Sequence, residues 1–242
     1  MIVIPMAGVS RRFTDAGYLR PKYELMLGDK SVFAHALESF AAYFATESFL
    51  FIAGSTPGAT TYIARACADL KIADRAIVTL GAPTAGQAET VERGLAAERV
   101  APETPLTIFN IDTFRPSFRF PDGAWTKGAD GWLEVFKGSG ANWSYVRPAP
   151  GREPRALETA EKRPISDLCC TGLYHFARAE DFLWALARER TAPQAGELYV
   201  APLYNHLIGR GQRVGYQLIA RDEVVFCGTP AEYHALGGGA AG

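Results

Sequence analysis

An excess of charge of either sign is absent from this 242-residue sequence: 25 Lys and Arg against 26 Asp and Glu leave a net charge of −1. With no long basic run, bulk electrostatics gives no case for a nucleic-acid or membrane-surface partner. Cysteine is scarce too. Cys67, Cys169, Cys170 and Cys227 form no CxxC pair and read as buried, reduced thiols of a cytosolic protein. Long apolar runs are missing, since no window approaches the ~20 residues that a membrane span needs. Met1 to Ile4 is too short an apolar stretch for a signal peptide and lacks a basic leader, so a cytoplasmic location is expected. No linker and no internal repeat is visible. What is there is an ordinary globular composition, 48% hydrophobic with 24 Gly and 15 Pro, in a chain long enough to bury a core.

Residues 1–112 alternate apolar runs with helical spacing. The stretches 2–6, 48–54, 76–81 and 106–112 read as strands. Val32, Phe33, Ala36, Leu37, Phe40 and Phe44 recur at helical spacing, 60–70 forms a second helix, and Thr84 with Gln87 has the capping-box spacing that starts a third, running to Arg99. This alternation predicts an α/β fold, a Rossmann-like mixed, mostly parallel sheet flanked by helices. After Asp112 the strands shorten: 132–136, 142–149, 156–162 and 171–177, then helices at 180–190 and 197–210, then strands at 214–220 and 224–228. Thr229-Pro230-Ala231-Glu232 combines a cap, a proline at the first helical position and Glu three residues on. The reading is one domain over 1–242. Residues 1–112 make the first half, 113–235 a small β-rich substrate lobe and 236–242 a frayed tail.

In a doubly wound sheet, ligands bind beyond the carboxyl ends of the strands. "IPMAGVSRRFTDAGYLRPK" (4–22) sits there and is neither a P-loop nor GxGxxG. Gly8, after Ala7, lets the backbone turn and approach a ligand closely. Arg11, Arg12 and Lys22 can converge on phosphate oxygens; the same stretch also reads as a turn and a solvated cationic loop. Asp112 ends the apolar strand "FNIDTF". A carboxylate there needs a partner, either a metal ion riding on phosphates or the backbone of the loop it caps. Gly86 and Gln87 open a helix. The Gln87 amide could read a base edge with Gly86 leaving room for the ring, or the helix is simply capped and amphipathic. Lys162, after Glu161, could hold a second phosphate or be ordinary surface, and Thr171-Gly172 lies in the following strand. Glu197 near a helix start is favoured by the helix dipole. The aromatic-rich stretch from Trp132 to Tyr145 shapes either a pocket or core.

In this order the stretches resemble the sugar-phosphate nucleotidylyltransferase family, whose first motif is close to GxGxRxxPxxxxxPK. Gly8, Arg12, Pro21 and Lys22 take its places, with Ser10 where the second glycine would be. "FNIDTF" is similar to the family's Asp-bearing strand end, "EKRPIS" and "TGLYHF" to its substrate-lobe motif, and "CGTPAEY" to its late Gly-Thr-Pro; together they span residues 1–235. "FNIDTFRP", "LEVFKGSGANWSYV" and "FCGTPAEY" are similar to a branch encoded with bacterial capsule genes, which includes CTP:phosphoglutamine cytidylyltransferases.

The resemblance implies a glycosyltransferase-A-like nucleotidyltransferase fold, with 1–112 as its nucleotide-binding half and 113–235 as its acceptor-binding half. It implies Mg²⁺-dependent transfer of a nucleoside monophosphate from a nucleoside triphosphate, CTP above the others. The acceptor would be a small phosphorylated capsule precursor, phosphoglutamine-like or a sugar phosphate, and pyrophosphate would leave. Arg12, Lys22 and Lys162 would be catalytic. Ala7, Gly8, Arg11, Gly86 and Gln87 would bind the nucleotide, and Glu161, Thr171, Gly172 and Glu197 the acceptor. Asp112 would hold Mg²⁺. Independently of the resemblance, a homodimer is the common default for soluble enzymes in general.

Two departures stand out. The family has a small hydroxyl residue at Arg11, and a second metal-binding Asp at the place of Phe226, which cannot ligate Mg²⁺. Either one carboxylate suffices, with triphosphate oxygens and waters completing the octahedron, or Asp222, Glu223 or Glu197 contributes. Phe226 also motivates a rival reading as a non-catalytic nucleotide sensor. A second rival is a metal-dependent glycosyltransferase using a nucleotide-sugar, though "NIDT" lacks the usual two-Asp DxD. Release of pyrophosphate rather than nucleoside diphosphate separates transferase from glycosyltransferase.

Overall fold

The computed structural model describes residues 1–239, so residues 240–242 of the expected tail lie outside the described residues. In chain order the elements are β1 (Ile2–Met6), α1 (Arg11–Asp15), β2 (Met26–Leu27), β3 (Lys30–Ser31), α2 (Val32–Glu38), β4 (Ser48–Gly54), α3 (Ala59–Asp69), β5 (Asp74–Leu80), α4 (Gln87–Ala97), β6 (Leu106–Phe109) and β7 (Thr113–Phe114). They continue as β8 (Gly131–Lys137), β9 (Ser144–Pro148), β10 (Ala156–Glu161), β11 (Leu168–Phe176), α5 (Ala179–Thr191), α6 (Leu203–Gly209), β12 (Val214–Ile219), β13 (Val225–Phe226) and α7 (Pro230–Ala235). The expected mixed sheet with flanking helices is what forms. The chain divides into two compact units. The β-rich unit takes Met1–Val3, Thr84–Phe109 and Phe120–Arg221, and the N-terminal unit takes Ile4–Pro83, Asn110–Arg119 and the segment from Asp222 onward.

In the N-terminal unit, β4 and β5 pair in parallel from Ser48↔Asp74 to Gly54↔Leu80. β4 carries five consecutive buried residues, the pattern of a parallel strand covered on both faces. Phe13, Phe33, Phe40, Phe49, Phe51 and Phe118 are essentially fully buried, each contributing ~1.5–3 kcal/mol of transfer free energy. The Ser31 hydroxyl accepts from the Ala34 N–H at 3.2 Å and starts α2. The helical spacing read across 32–44 breaks at Ser39. That residue is buried, and its hydroxyl accepts the Arg115 N–H at 2.8 Å, so the chain resumes only as a 3-10 turn over Ala41–Tyr43. The Thr229 capping box forms as expected, with Pro230 opening α7. Tyr18 donates to the Gly239 carbonyl at 2.9 Å, so Leu236–Gly239 is tied down up to that point.

In the β-rich unit, β11 is the central strand, antiparallel to β6, β8 and β9. β10 pairs antiparallel with β9, while β12 runs parallel to β8 and the start of β1 parallel to β6. All four cysteines of the chain are free and buried, as expected. No helix is long and apolar enough to cross a membrane among the described residues.

His175 on β11 contributes a pH dependence. Its Nδ1 lies 3.0 Å from the Thr107 hydroxyl, and its ring stacks on Trp132 at 5.3 Å. Burial, aided by the N-terminal ammonium, lowers its pKa from 6.5 to about 4. The folded state therefore keeps a neutral imidazole where the unfolded chain takes a proton. Stability is full above pH 6.5 and falls as pH drops towards 4, by about 3 kcal/mol from this group. In urea titrations at pH 7 and pH 4, His175→Gln is expected to lose distinctly less stability between the two pH values than the wild type.

Candidate functional site

Two groups of candidate residues form, one in each unit. In the N-terminal unit, Lys22 opens a 3-10 turn directly after Pro21, and its ammonium pairs with the Asp112 carboxylate. Both side chains are about one-fifth exposed. Asp112 is not on a strand end as expected: β6 stops at Phe109, and Asp112 lies in the turn before β7. The late "CGTPAEY" stretch fixes that turn. Phe226 pairs across β13 and β7 with Thr113, and the Cys227 N–H donates to the Asp112 carbonyl at 2.8 Å. A Cβ on Gly228 would sit 3.1 Å from Asp112 Oδ2, so glycine leaves the carboxylate its space. The Glu232 carboxylate accepts the Gly228 and Thr229 N–H groups at 2.9 Å each. Burial and the neighbouring Asp112 push the Cys227 thiol up to about 12, which makes it a packing group rather than a nucleophile.

Arg11 and Arg12 lie exposed on α1. Gly8 shows no positive φ, and open space surrounds the place of its missing side chain, so the turn does not demand glycine there. The left-handed residue is Ser10, at φ 48, which stands at the family's second glycine. Of the three acids weighed as further metal ligands, Glu223 is engaged by Arg115, whose guanidinium donates to its carbonyl at 3.0 Å and lies 3.5 Å from its carboxylate. Asp222 sits exposed in the 3-10 turn before it, and Glu197 belongs to the other unit. Among the described residues, no group of three or more His, Cys, Asp or Glu side chains gathers to hold a metal ion. The donor set is one carboxylate beside a glycine, which fits a Mg²⁺ ion that takes most of its ligands from phosphate and water.

In the β-rich unit, the expected Thr84 capping box does not form: Thr84 donates to the Gly86 carbonyl at 3.2 Å, and α4 begins at Gln87 with Gly86 as its cap. Gly86 has φ 151, and a Cβ there would meet the Leu198 N and O at 2.6 Å. The place a side chain would take is thus filled by the Leu198 peptide. Gln87, half-buried, takes the first position of the helix. The Ala85 N–H donates to Glu89, which holds that carboxyl below its usual range.

Glu161 closes β10, and its carboxylate accepts the Ser144 hydroxyl. Burial, reinforced by Glu197 and opposed by Ser144 and Lys162, raises its carboxyl. Lys162 donates to the Tyr199 hydroxyl at 2.6 Å. That bond, with help from Glu161 and Glu197, holds its ammonium above the ordinary lysine range. Glu197 does not start a helix: α6 begins only at Leu203, behind Pro202, and Glu197 is exposed in the preceding loop. Thr171 is 2% exposed and donates to the buried Glu134 carboxylate at 3.0 Å, so its hydroxyl serves the sheet. Gly172, at φ 97, lies where the β11/β8 register shifts between Cys170 and Tyr174, a bulge that glycine permits. The structure therefore gathers Glu161, Lys162 and Glu197, and leaves Thr171 and Gly172 inside the strand. Tyr199 went unread in the sequence. Its only signal is adjacency to Glu197 in "GELYVAP".

No family model and no curated protein matches the chain. Among solved structures it is similar to a nucleoside-diphosphate-sugar pyrophosphorylase from Vibrio cholerae RC9, at 49% identity over 98% of this chain and 99% of that one, with TM-score 0.91. The chain belongs to the nucleoside-diphosphate-sugar pyrophosphorylase family. The inositol-1-phosphate CTP transferase of T. maritima shares the fold at 13% identity and TM-score 0.72, over 98% of this chain and 94% of that one. A UTP-bound UGPase of Acinetobacter baumannii does so at 15% and 0.66, over 97% and 90%.

Proposed function

We propose that the chain is a nucleotidylyltransferase that moves a nucleoside monophosphate from a nucleoside triphosphate to a small phosphorylated acceptor. The observation that carries the reading is the Lys22–Asp112 pair, a cation and a metal-competent carboxylate held together in the segments that carry the family motifs. Membership of the pyrophosphorylase family supports the same class of reaction. CTP as donor, and a capsule precursor of the phosphoglutamine or sugar-phosphate type as acceptor, rest on the branch resemblance of "FNIDTFRP" and "FCGTPAEY".

An acceptor phosphate oxygen attacks the α-phosphorus, and the bond from that phosphorus to the bridging oxygen of the β-phosphate breaks. Pyrophosphate leaves with the electron pair. A phosphate monoester has a second pKa near ~6 and is already mostly a dianion at neutral pH, so no general base is required. What the chain supplies is positioning and neutralisation of two repelling anions. Lys22 and Arg12 take the triphosphate and the leaving pyrophosphate, with Arg11, Ala7 and Gly8 beside them. Asp112 would hold Mg²⁺, which when bound adds positive charge at the phosphates. Gln87, positioned by Gly86, reads the base, and Lys162 holds the acceptor phosphate. Glu161 and Glu197 meet the acceptor's polar groups, while Thr171 and Gly172 support that wall from within β11.

Pyrophosphate release with Mg²⁺ tests the reading. CTP, UTP, GTP, dTTP and ATP are each offered with sugar 1-phosphates, phosphocholine and phosphoglutamine. Release with CTP and one acceptor is the expected result. Nucleoside diphosphate as product, or nucleotide binding with no turnover across the panel, would sink it.

A further inference from the structure

Lys162 is mounted with unusual care. Its backbone is left-handed at φ 54, a region that non-glycine residues enter sparsely and at some strain, and its N–H donates to the Trp143 carbonyl at 2.9 Å. The ammonium then meets the Tyr199 hydroxyl at 2.6 Å. Tyr199 has a stiff mount of its own. Its neighbour Leu198 donates to the Ala85 carbonyl at 2.9 Å and accepts the Ala88 N–H at 2.8 Å. The bare Cα of Gly86 lets those peptides close up.

The chemical type of the partner matters. A carboxylate in the place of Tyr199 would form an ion pair with the ammonium and compete with an incoming anion for it. A phenol accepts one N–H without itself adding a negative charge beside those of Glu161 and Glu197, and leaves two further donors for an incoming anion. An unrestrained lysine would have to be immobilised when its ligand arrives, at a cost that a pre-set one avoids.

We propose that Tyr199 is a positioning residue, whose hydroxyl fixes the Lys162 ammonium in advance for a phosphate monoester dianion. The inference rests on the acceptor role proposed above for Lys162. Freezing one such side chain is worth about fivefold to tenfold in affinity.

The test uses the full chain with ¹⁵N-labelled lysine, in which six ammonium groups report: Lys22, Lys30, Lys71, Lys127, Lys137 and Lys162. The Lys162 signal, identified by its loss in Lys162→Arg, is titrated with inorganic phosphate. A saturable shift is expected in the wild type. In Tyr199→Phe, which keeps the ring, phosphate affinity falls about fivefold to tenfold, and the lysine pKa returns towards its ordinary value. Tyr199→Gln, with an acceptor oxygen in place of the hydroxyl, recovers part of the affinity if the variant retains the fold. In the transfer assay, Tyr199→Phe raises the acceptor KM, leaves the nucleotide KM alone, and adds nothing in a Lys162→Met background. Unchanged phosphate affinity in Tyr199→Phe, or an equal loss in the Lys162→Met background, overturns the proposal. A Lys162 signal that binds phosphate in a chain that releases no pyrophosphate counts against the transferase reading alone, because the Tyr199 comparison is still read from phosphate binding.

Discussion

Lys22→Ala is expected to lower pyrophosphate release about 10²–10³-fold, the loss typical of removing one donor aimed at developing negative charge. Lys22 holds its place through Asp112 and is only 19% exposed, so little freedom remains for it to wander when a triphosphate arrives. Lys22→Arg keeps the charge but replaces a compact ammonium with a planar fork, and is expected to recover only part of the rate. Asp112→Asn keeps the shape of the side chain and removes its charge. Its loss should be of the same order and should come with a steeper requirement for Mg²⁺. Because the two residues form one pair, the double variant should fall well short of the product of the single effects. Initial rates across a Mg²⁺ series, with thermal midpoints as a control for folding, provide the measurement. Full turnover in Lys22→Ala would remove Lys22 from the catalytic set.

How much of this was legible in the sequence depended on the range of the interaction that decides each feature. Strands such as β4 and β8 could be read because an apolar run is a local property, and the α7 cap because its partners are three residues apart. Lys22 and Asp112 could be singled out as candidates from their neighbours. That both lie at the same sheet edge could be read from the doubly wound pattern; the ion pair itself could not, since 90 residues separate them and the Asp112 turn is fixed to Cys227 by a backbone hydrogen bond. The Thr84 cap failed because spacing alone does not show where the hydroxyl goes: it bonds the Gly86 carbonyl and lies 2.7 Å from the Thr90 hydroxyl. The hydrogen bond of Thr171 was hidden for a similar reason: its partner Glu134 lies on the neighbouring strand β8, and a buried carboxylate claims any nearby donor. Glu197 carries the local signal of a helix start, but Pro202, which caps α6, sets the boundary.

Gly86→Ala is expected to be the most destabilising small substitution in the candidate site. Two penalties coincide there. At φ 151 the backbone lies where L side chains rarely go, and the new Cβ would meet the Leu198 N and O at 2.6 Å. Strain of ~1–3 kcal/mol from the dihedral and ~1–3 kcal/mol from overpacking together suggest a loss of about 4 kcal/mol. For a chain of this size that corresponds to roughly 8–16 °C in thermal midpoint. Gly8→Ala is the control. Gly8 has no positive φ and no atom within 4 Å of the added Cβ, so its stability should change by no more than about 0.5 kcal/mol. The contrast separates two uses of glycine that look identical in a motif, one keeping a surface open and one letting two peptides touch. Relief of the clash would have to push Leu198 away, and Tyr199 with it. Any Gly86→Ala protein that still folds should therefore also bind phosphate more weakly at Lys162. A midpoint within 2 °C of wild type would show that the Leu198 loop can yield freely, and that it cannot be the mount that holds Tyr199 in place.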